Sequence, residues 1–274
     1  MWRKSSPNAV VGNVILIIAL LFFIFPIYWL FANSFKTQAD IFSMPPKWFF
    51  EPTLKNYYHV FFKTLFPLMT KNSLIVACSN TLISLFIGTL AAYGISRFGV
   101  GGEGLLYWFL SIRMLPPIVA SIPLFIIAAS LRLIDTKIVL PFLYLMINTP
   151  LVVWMMKSFI DEIPHEIEES ALIDGCGNFE RLWRIVIPLT APGLVATGVF
   201  CFIFAWNEFL LAMIFTRSNA ITLPVGISGF ITEEQVLWGY ITAASSIAAL
   251  PPMVLAWIFQ RYMVRGLTFG AVKS

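Results

Sequence analysis

Charge is what this sequence has least of. Of its 274 residues only 12% are Asp, Glu, Lys or Arg, while 59% are apolar. Soluble domains carry about twice that share of charge. A chain so composed cannot clothe a globular core in polar side chains, which excludes a soluble protein and leaves an integral membrane one. Histidine is almost missing (His59 and His165), and Cys78, Cys176 and Cys201 stand far apart without paired spacing. Such a set supports neither a disulfide framework nor a metal site. No GxxxxGK(S/T) loop is present to cradle phosphates, so the chain does not hydrolyse ATP itself. No Ser/His/Asp set is present either, and enzyme chemistry lacks its parts. The net charge of +4 is ordinary for a membrane chain and gives no ground for nucleic-acid binding. No internal repeat or low-complexity tract is evident.

What is there is a series of long apolar runs. Residues 1–9 carry Arg3 and Lys4, and an uncharged run follows over 10–32. It is too long for a signal-peptide core, and no small-residue cleavage site ends it. At 1.5 Å per residue it reaches roughly 34 Å, enough for a bilayer, so it reads as an uncleaved first transmembrane helix with Tyr28 and Trp29 at its interface. A polar, Pro- and aromatic-rich segment, 33–71, follows as an external loop. Pro45 and Pro46 forbid one continuous helix there. It reads equally as an exposed surface for a soluble partner or as an interfacial connector anchored by Trp48, Phe49 and Tyr57. Further spans are expected at 72–96, at 104–131, interrupted by Arg113, Pro116, Pro117 and Pro123, at 138–156, at 193–215, and at 240–259 with Pro251 and Pro252 inside it. The fold class is therefore all-α and membrane-embedded, with six transmembrane helices, a permease-like core over 72–259 and a tail over 260–274. Six spans put both termini on one side, but Lys and Arg are shared almost equally between the two sides, so charge does not orient the chain.

The one long charged stretch lies between spans four and five, over 157–190. Pro164 suits a first helical position, with Glu166, Glu168 and Glu169 in the first turns, where carboxylates complement the helix dipole. Ile163, Ile167, Ser170, Ala171 and Asp174 share one narrow face with small residues at its middle. Gly175 and Gly177 suit a helix C-cap, and Asn178 then an N-cap. Phe179, Leu182, Trp183, Val186 and Ile187 repeat at helical spacing until Pro188 stops the run. The loop reads as a helix-turn-helix, apolar on one side and charged on the other. A surface hairpin with solvated acidic faces is the plainer alternative. A DNA-binding unit is disfavoured, because 157–184 is net acidic.

Glu169-Ser170-Ala171, three residues, Gly175, nine residues, then Ile185-x-Ile187-Pro188 resembles the "EAA" signature of ABC-importer permeases. Ser170 replaces the middle Ala and Ile187 the usual Leu, both close in size. The stretches 72–97, 113–117 and 205–209 extend the resemblance. The ending from Gln260, with Arg265-Gly266-Leu267-Thr268-Phe269-Gly270, is similar to the tail of MalG-type carbohydrate-uptake permeases, with Phe269 in place of an Ala. The resemblance implies that Glu169, Ser170, Ala171, Asp174, Gly175, Ile185 and Pro188 form the element that docks in the ATPase subunit. It implies that Gly266, Leu267, Thr268, Gly270 and Lys273 reach into the ATPase pair. It implies that Ser218, Asn219 and Ala220, in the external loop after span five, meet a sugar-binding protein. The partners so implied are a second permease in a heterodimer, two ATPase subunits holding ATP and Mg, a periplasmic or lipid-anchored sugar-binding protein, and membrane lipid. The chain itself would bind no cofactor. The location implied is a bacterial or archaeal cytoplasmic (inner) membrane, multi-pass, with both termini cytoplasmic.

Arg113, in span three, and Glu208, beside Asn207 in span five, are the two charges inside the expected spans. A charge at mid-bilayer costs at least about 2.5 kcal/mol and must face protein or water. Counting from the cytoplasmic side, the two charges differ in depth by roughly 10 Å, against a direct pair. They serve either as internal struts or as lining of a translocation path. The competing class is an ion-coupled secondary transporter using Glu208. The absence of an inverted repeat and of paired broken helices counts against it.

Overall fold

The computed structural model describes residues 7–268, with side chains described over 11–263 except at 103. Among them the chain is helical, with a single isolated bridge between Ile231 and Val236. Two units divide it, one formed by 1–67 with 227–249, the other by 68–226 with 250–274.

The first unit opens with α1 (Pro7–Ser34). Its apolar residues go all round, so nothing directs one face to a core, and none of its best membrane window is buried. The segment that follows is partly helical: α2 (Gln38–Ile41), capped by the Thr37 side chain, and α3 (Lys55–Lys63), with the proline-rich stretch between them irregular. It is tied back onto the end of α1. Asn56 Nδ2 donates to the carbonyls of Ser34 (2.9 Å) and Lys36 (2.8 Å), and the buried Lys36 ammonium lies 4.4 Å from the centre of the Trp29 ring. Phe49, one of the three expected anchors, is nevertheless 96% exposed. The 227–249 part adds a tight turn, held where Gln38 Nε2 donates to the Val236 carbonyl at 3.0 Å, and His59 stacks on Tyr240 at 4.1 Å.

The second unit holds the core. Its helices are α4 (Phe66–Phe98), α5 (Gly102–Met114), α6 (Pro117–Ser130), α7 (Val139–Leu143) and α8 (Leu145–Asp161). The loop helices α9 (His165–Ile173), α10 (Asn178–Arg181) and α11 (Ile187–Leu189) follow, with a π-helical turn over Leu182–Val186 between the last two. Then come α12 (Ala191–Asn207), α13 (Leu210–Phe215), α14 (Leu223–Ser228), most of which belongs to this unit, and α15 (Trp238–Thr268), of which 238–249 belong to the first unit and 250–268 to the second. α8 is the hub. Its Leu151, Val152, Met155, Met156, Phe159 and Ile160 are buried against α4 and α12. Gly88 lets α4 approach it, since a Cβ there would lie 2.6 Å from Val152. Gly193 likewise admits the Phe159 ring, 2.4 Å from where a Cβ would be. Inside this apolar contact a polar chain fixes register: Asn148 Nδ2 donates to Asn80 Oδ1 (2.6 Å) and to the Cys201 carbonyl (2.9 Å), while Asn80 donates to the Pro141 carbonyl (2.8 Å). In hydrocarbon such groups must find protein partners.

Several expectations change. The second span begins at Phe66 rather than at 72. The third is broken at Leu115-Pro116, where the two halves meet at 89°, because paired prolines cannot continue a helix. The fifth ends at Asn207 and resumes at Leu210. Broken helices are thus present, and their expected absence does not argue against a secondary transporter. Among the described residues three helices are long and apolar enough to cross a membrane, or up to five if each sharply bent pair is one span. The fourth expected span corresponds to α7 and most of α8, each with one side buried and with Phe142 and Trp154 exposed. The loop after α13, expected to be irregular throughout, contains the short α14 with Pro224 and Gly226 in it.

Candidate functional site

The loop between α8 and α12 folds as two helical pieces around a glycine. Pro164 is the residue before α9 rather than its first, with ψ 134°, and His165 starts the helix. At the other end Gly175 takes φ +87°, the left-handed conformation that penalises any Cβ. Cys176 N–H then donates to the Ala171 carbonyl (2.9 Å) and Gly175 N–H to that of Leu172 (3.0 Å), the paired bonds of a Schellman cap. Gly177, not Asn178, sits at the cap of α10, while the Asn178 side chain accepts from Arg181 Nη2 at 2.5 Å. The helix does not stop at Pro188. It runs through a π turn to Leu189, and the direction changes by 79° on entering α12.

Burial splits the expected faces. Ala171 is buried, but Glu169, Ser170, Asp174, Gly175 and Pro188 are exposed, and Ile185 is half-buried. Of the apolar residues Leu182 and Val186 go inward, whereas Ile173 (88% exposed), Phe179 (65%), Leu172 and Trp183 face outward. The buried charged residue of α9 is Glu168, expected to be solvated. Arg97 Nε donates to its Oε1 at 2.5 Å and Tyr93 Oη to its Oε2 at 3.0 Å. Arg181 is within 3.9 Å of the same oxygen. Sequence reasoning missed this trio around Glu168. The signal available was Arg97, standing immediately after an uncharged run. What the loop presents outward is therefore a helix with a left-handed glycine stop and several uncovered apolar side chains, Leu172, Ile173, Phe179 and Trp183.

The matching family model is the binding-protein-dependent transport system inner membrane component, over residues 84–269, a range that contains this loop. The chain belongs to that family. It is 36% identical to the probable ABC transporter permease protein y4oR of Sinorhizobium fredii over 92% of this chain and 91% of the relative. To the trehalose/maltose transport system permease protein MalG of Thermococcus litoralis it is 37% identical, over 97% of this chain and 96% of that one. A subunit of a bacterial ABC transporter involved in the import of the acidic polysaccharide alginate shares the fold, with TM-score 0.76 and 21% identity over 95% of this chain and 99% of the other.

The remaining candidate residues of this permease lie apart from the loop. Arg113 and Glu208 do not pair. The Arg113 guanidinium lies 4.9 Å from the Phe204 ring centre, with one Nη buried and unbonded. Glu208 sits at the break after α12, and its carboxylate accepts the N–H groups of Leu211 (2.9 Å) and Ala212 (3.1 Å), capping α13. Asn207 Nδ2 bonds back to the Ile203 carbonyl in its own helix at 2.9 Å. In the loop after α13, Ser218 and Asn219 are exposed, but Ala220 is 1% exposed and belongs to the loop's packing. Gly270 and Lys273 lie outside the described residues. Gly266, Leu267 and Thr268 fall in the last turns of α15, where only the backbone is described.

Proposed function

We propose that this chain is the permease subunit of an ATP-driven, binding-protein-dependent sugar importer. Its six spans cross a bacterial or archaeal cytoplasmic membrane with both termini inside. It pairs with a second, different permease, and each half of that pair meets one of two ATPase subunits, which hold the ATP and Mg. A periplasmic or lipid-anchored binding protein delivers the sugar. The observation that carries this reading is the loop over 157–190, whose EAA-type residues sit on a capped helix with Ile173 and Phe179 uncovered beside them. Family membership and the sugar-system names of relatives such as MalG support the substrate class. Glu169, Ser170, Ala171, Asp174, Gly175, Ile185 and Pro188 are then the ATPase-coupling residues. Arg113, Asn207 and Glu208 are candidates for the translocation path, Ser218 and Asn219 for the binding-protein contact, and the residues from Gly266 for contact with the ATPase pair.

An ion-coupled mechanism through Glu208 is disfavoured, because both its oxygens are engaged by backbone N–H groups at the α13 end. Uptake into vesicles holding the full complex and its binding protein tests the proposal. Labelled oligosaccharide should accumulate with internal ATP and not with a proton or sodium gradient alone. Gradient-driven uptake without ATP would overturn it.

A further inference from the structure

Four parts of the fold meet at one carboxylate. The Glu168 side chain on α9 is 3% exposed, and the Arg97 side chain at the end of α4 is 5% exposed. Arg97 does more than pair with it. Its Nη2 also donates to the carbonyls of Ile160 (2.8 Å) and Ile163 (2.9 Å), at and just beyond the end of α8, where helix carbonyls lack partners of their own. Tyr93, one turn earlier on α4, completes the second oxygen of Glu168, and Arg181 brings α10 to within 3.9 Å. Surrounding these groups are Ile163, Leu182 and Val186, all nearly or wholly buried.

Apolar contact alone would hold these elements together in several registers at similar energy. A hydrogen-bonded ion pair in a dry site permits one, since any slip leaves a charge unpaired. Buried pairs add little net stability, and fixing register is their best-attested use. A loop that receives force from another subunit needs that property, because a loop sliding on its own base would absorb the displacement.

We propose that Glu168 and Arg97 form a register lock that makes α9 move as one body with the ends of α4 and α8, so that displacement of the loop reaches the membrane helices. They are positioning residues, touching neither sugar nor nucleotide. The proposal rests on the permease reading for its functional consequence, but the lock itself is a property of this chain.

Two measurements on the assembled complex test it. In proteoliposomes with the partner permease, ATPase subunits and binding protein, sugar imported per ATP hydrolysed is compared for wild type, Glu168→Gln, Arg97→Lys and the double variant Arg97→Gln/Glu168→Gln. The double variant removes both charges of the lock and leaves the Arg181 guanidinium on the Asn178 side chain, so assembly should be near wild type, while imported sugar per ATP falls at least about fivefold, the lower end of typical coupling between sites. Arg97→Lys keeps the charge but loses the fork, and should fall similarly. A purely structural role would lower assembly, uptake and hydrolysis together and leave the ratio unchanged, which would overturn the lock. The second measurement needs no transport. Spin labels at Ile173→Cys and Phe98→Cys, in an otherwise cysteine-free chain within the complex, should give one narrow distance in the parent and a broad distribution in the double variant. An equally narrow distribution in both refutes the lock, whereas a wild-type complex that imports no sugar with ATP refutes the permease reading alone.

Discussion

The carboxylate of Asp135 accepts the backbone N–H of Ala220 at 2.9 Å, across 85 residues of sequence. The same carboxylate takes the N–H groups of Arg217 (2.8 Å) and Asn219 (3.0 Å), so one side chain organises the turn after α13. Asp135 itself stands at φ +58°, in the left-handed region, after the end of α6. Burial alone would raise its carboxyl, but the amides of Ala220, Arg217, Asn219 and Ser218 outweigh that and hold it below the ordinary carboxylate value.

The sign of the pH effect follows. A depressed folded pKa means that the ionised carboxylate contributes stability above the unfolded value of 3.8, lost as pH falls through the lower, folded value. Hydrogen exchange at residues 217, 219 and 220 should therefore stay protected at neutral pH and lose protection only below pH 3.8. Asp135→Asn should lose about tenfold or more of that protection at neutral pH, since each charged hydrogen bond is worth over 1 kcal/mol. Protection in the variant equal to wild type at pH 7 would contradict the account.

Exposed Ser218 and Asn219 are the part of that turn free to meet a docked protein. Removing 218–220 would also delete Ala220, so single Ser218→Trp and Asn219→Trp replacements are the cleaner probes. If this turn enters the binding protein's cleft, sugar release from the docked binding protein should slow several-fold on steric grounds, with the free binding protein's affinity unchanged. Stopped-flow release on the complex reads this directly, and unaltered release in both variants would remove the turn from the interface.

At Gly175 the relevant cost is backbone strain rather than crowding. A Cβ there would meet nothing within 4 Å, but φ is +87°. Gly175→Val should destabilise the cap by about 1–2 kcal/mol, and Gly175→Asn, which tolerates that region, by much less. Co-purification of the ATPase subunits should follow that order, Asn retaining more than Val. Ala171, buried at 8% exposure, should not accept Arg, and Ala171→Arg should abolish uptake while the subunit still inserts. Normal ATPase co-purification and uptake in both Gly175→Val and Ala171→Arg would refute the coupling role of this loop.

Packing of α4 on α8 offers a test independent of function. Gly88→Ala would place a Cβ 2.6 Å from both Cβ and Cγ1 of Val152. Overpacking should cost about 1–3 kcal/mol, seen as a lower melting temperature in detergent. Val152→Ala in the same chain should recover part of the loss, because the clash atom Cγ1 is then gone. No shift in Gly88→Ala, or no recovery in the pair, would mean that the two helices do not meet as described.

Composition and spacing were sufficient for the class of this protein and for its most specific element. Apolar runs long enough for a bilayer require helices that satisfy their own backbone groups, whatever they pack against. The loop's glycine cap is equally local, since Gly175 supplies a left-handed stop from its own backbone freedom. The break at Pro116 was readable for the same reason, as a missing N–H and a steric clash. Sidedness of the loop was not. Glu168 and Glu169 are neighbours about 100° apart around a helix, and sequence cannot say which is buried until Arg97 and Tyr93 arrive from 70 residues or so away. The break at Glu208 was hidden too, because a carboxylate ends one helix and caps the next only when α13 turns its amides toward it. Local conformation is set by neighbours in the chain. Which charge is buried depends on partners that only the tertiary fold brings within hydrogen-bond reach, because a buried carboxylate is tolerated only where donors already wait for it.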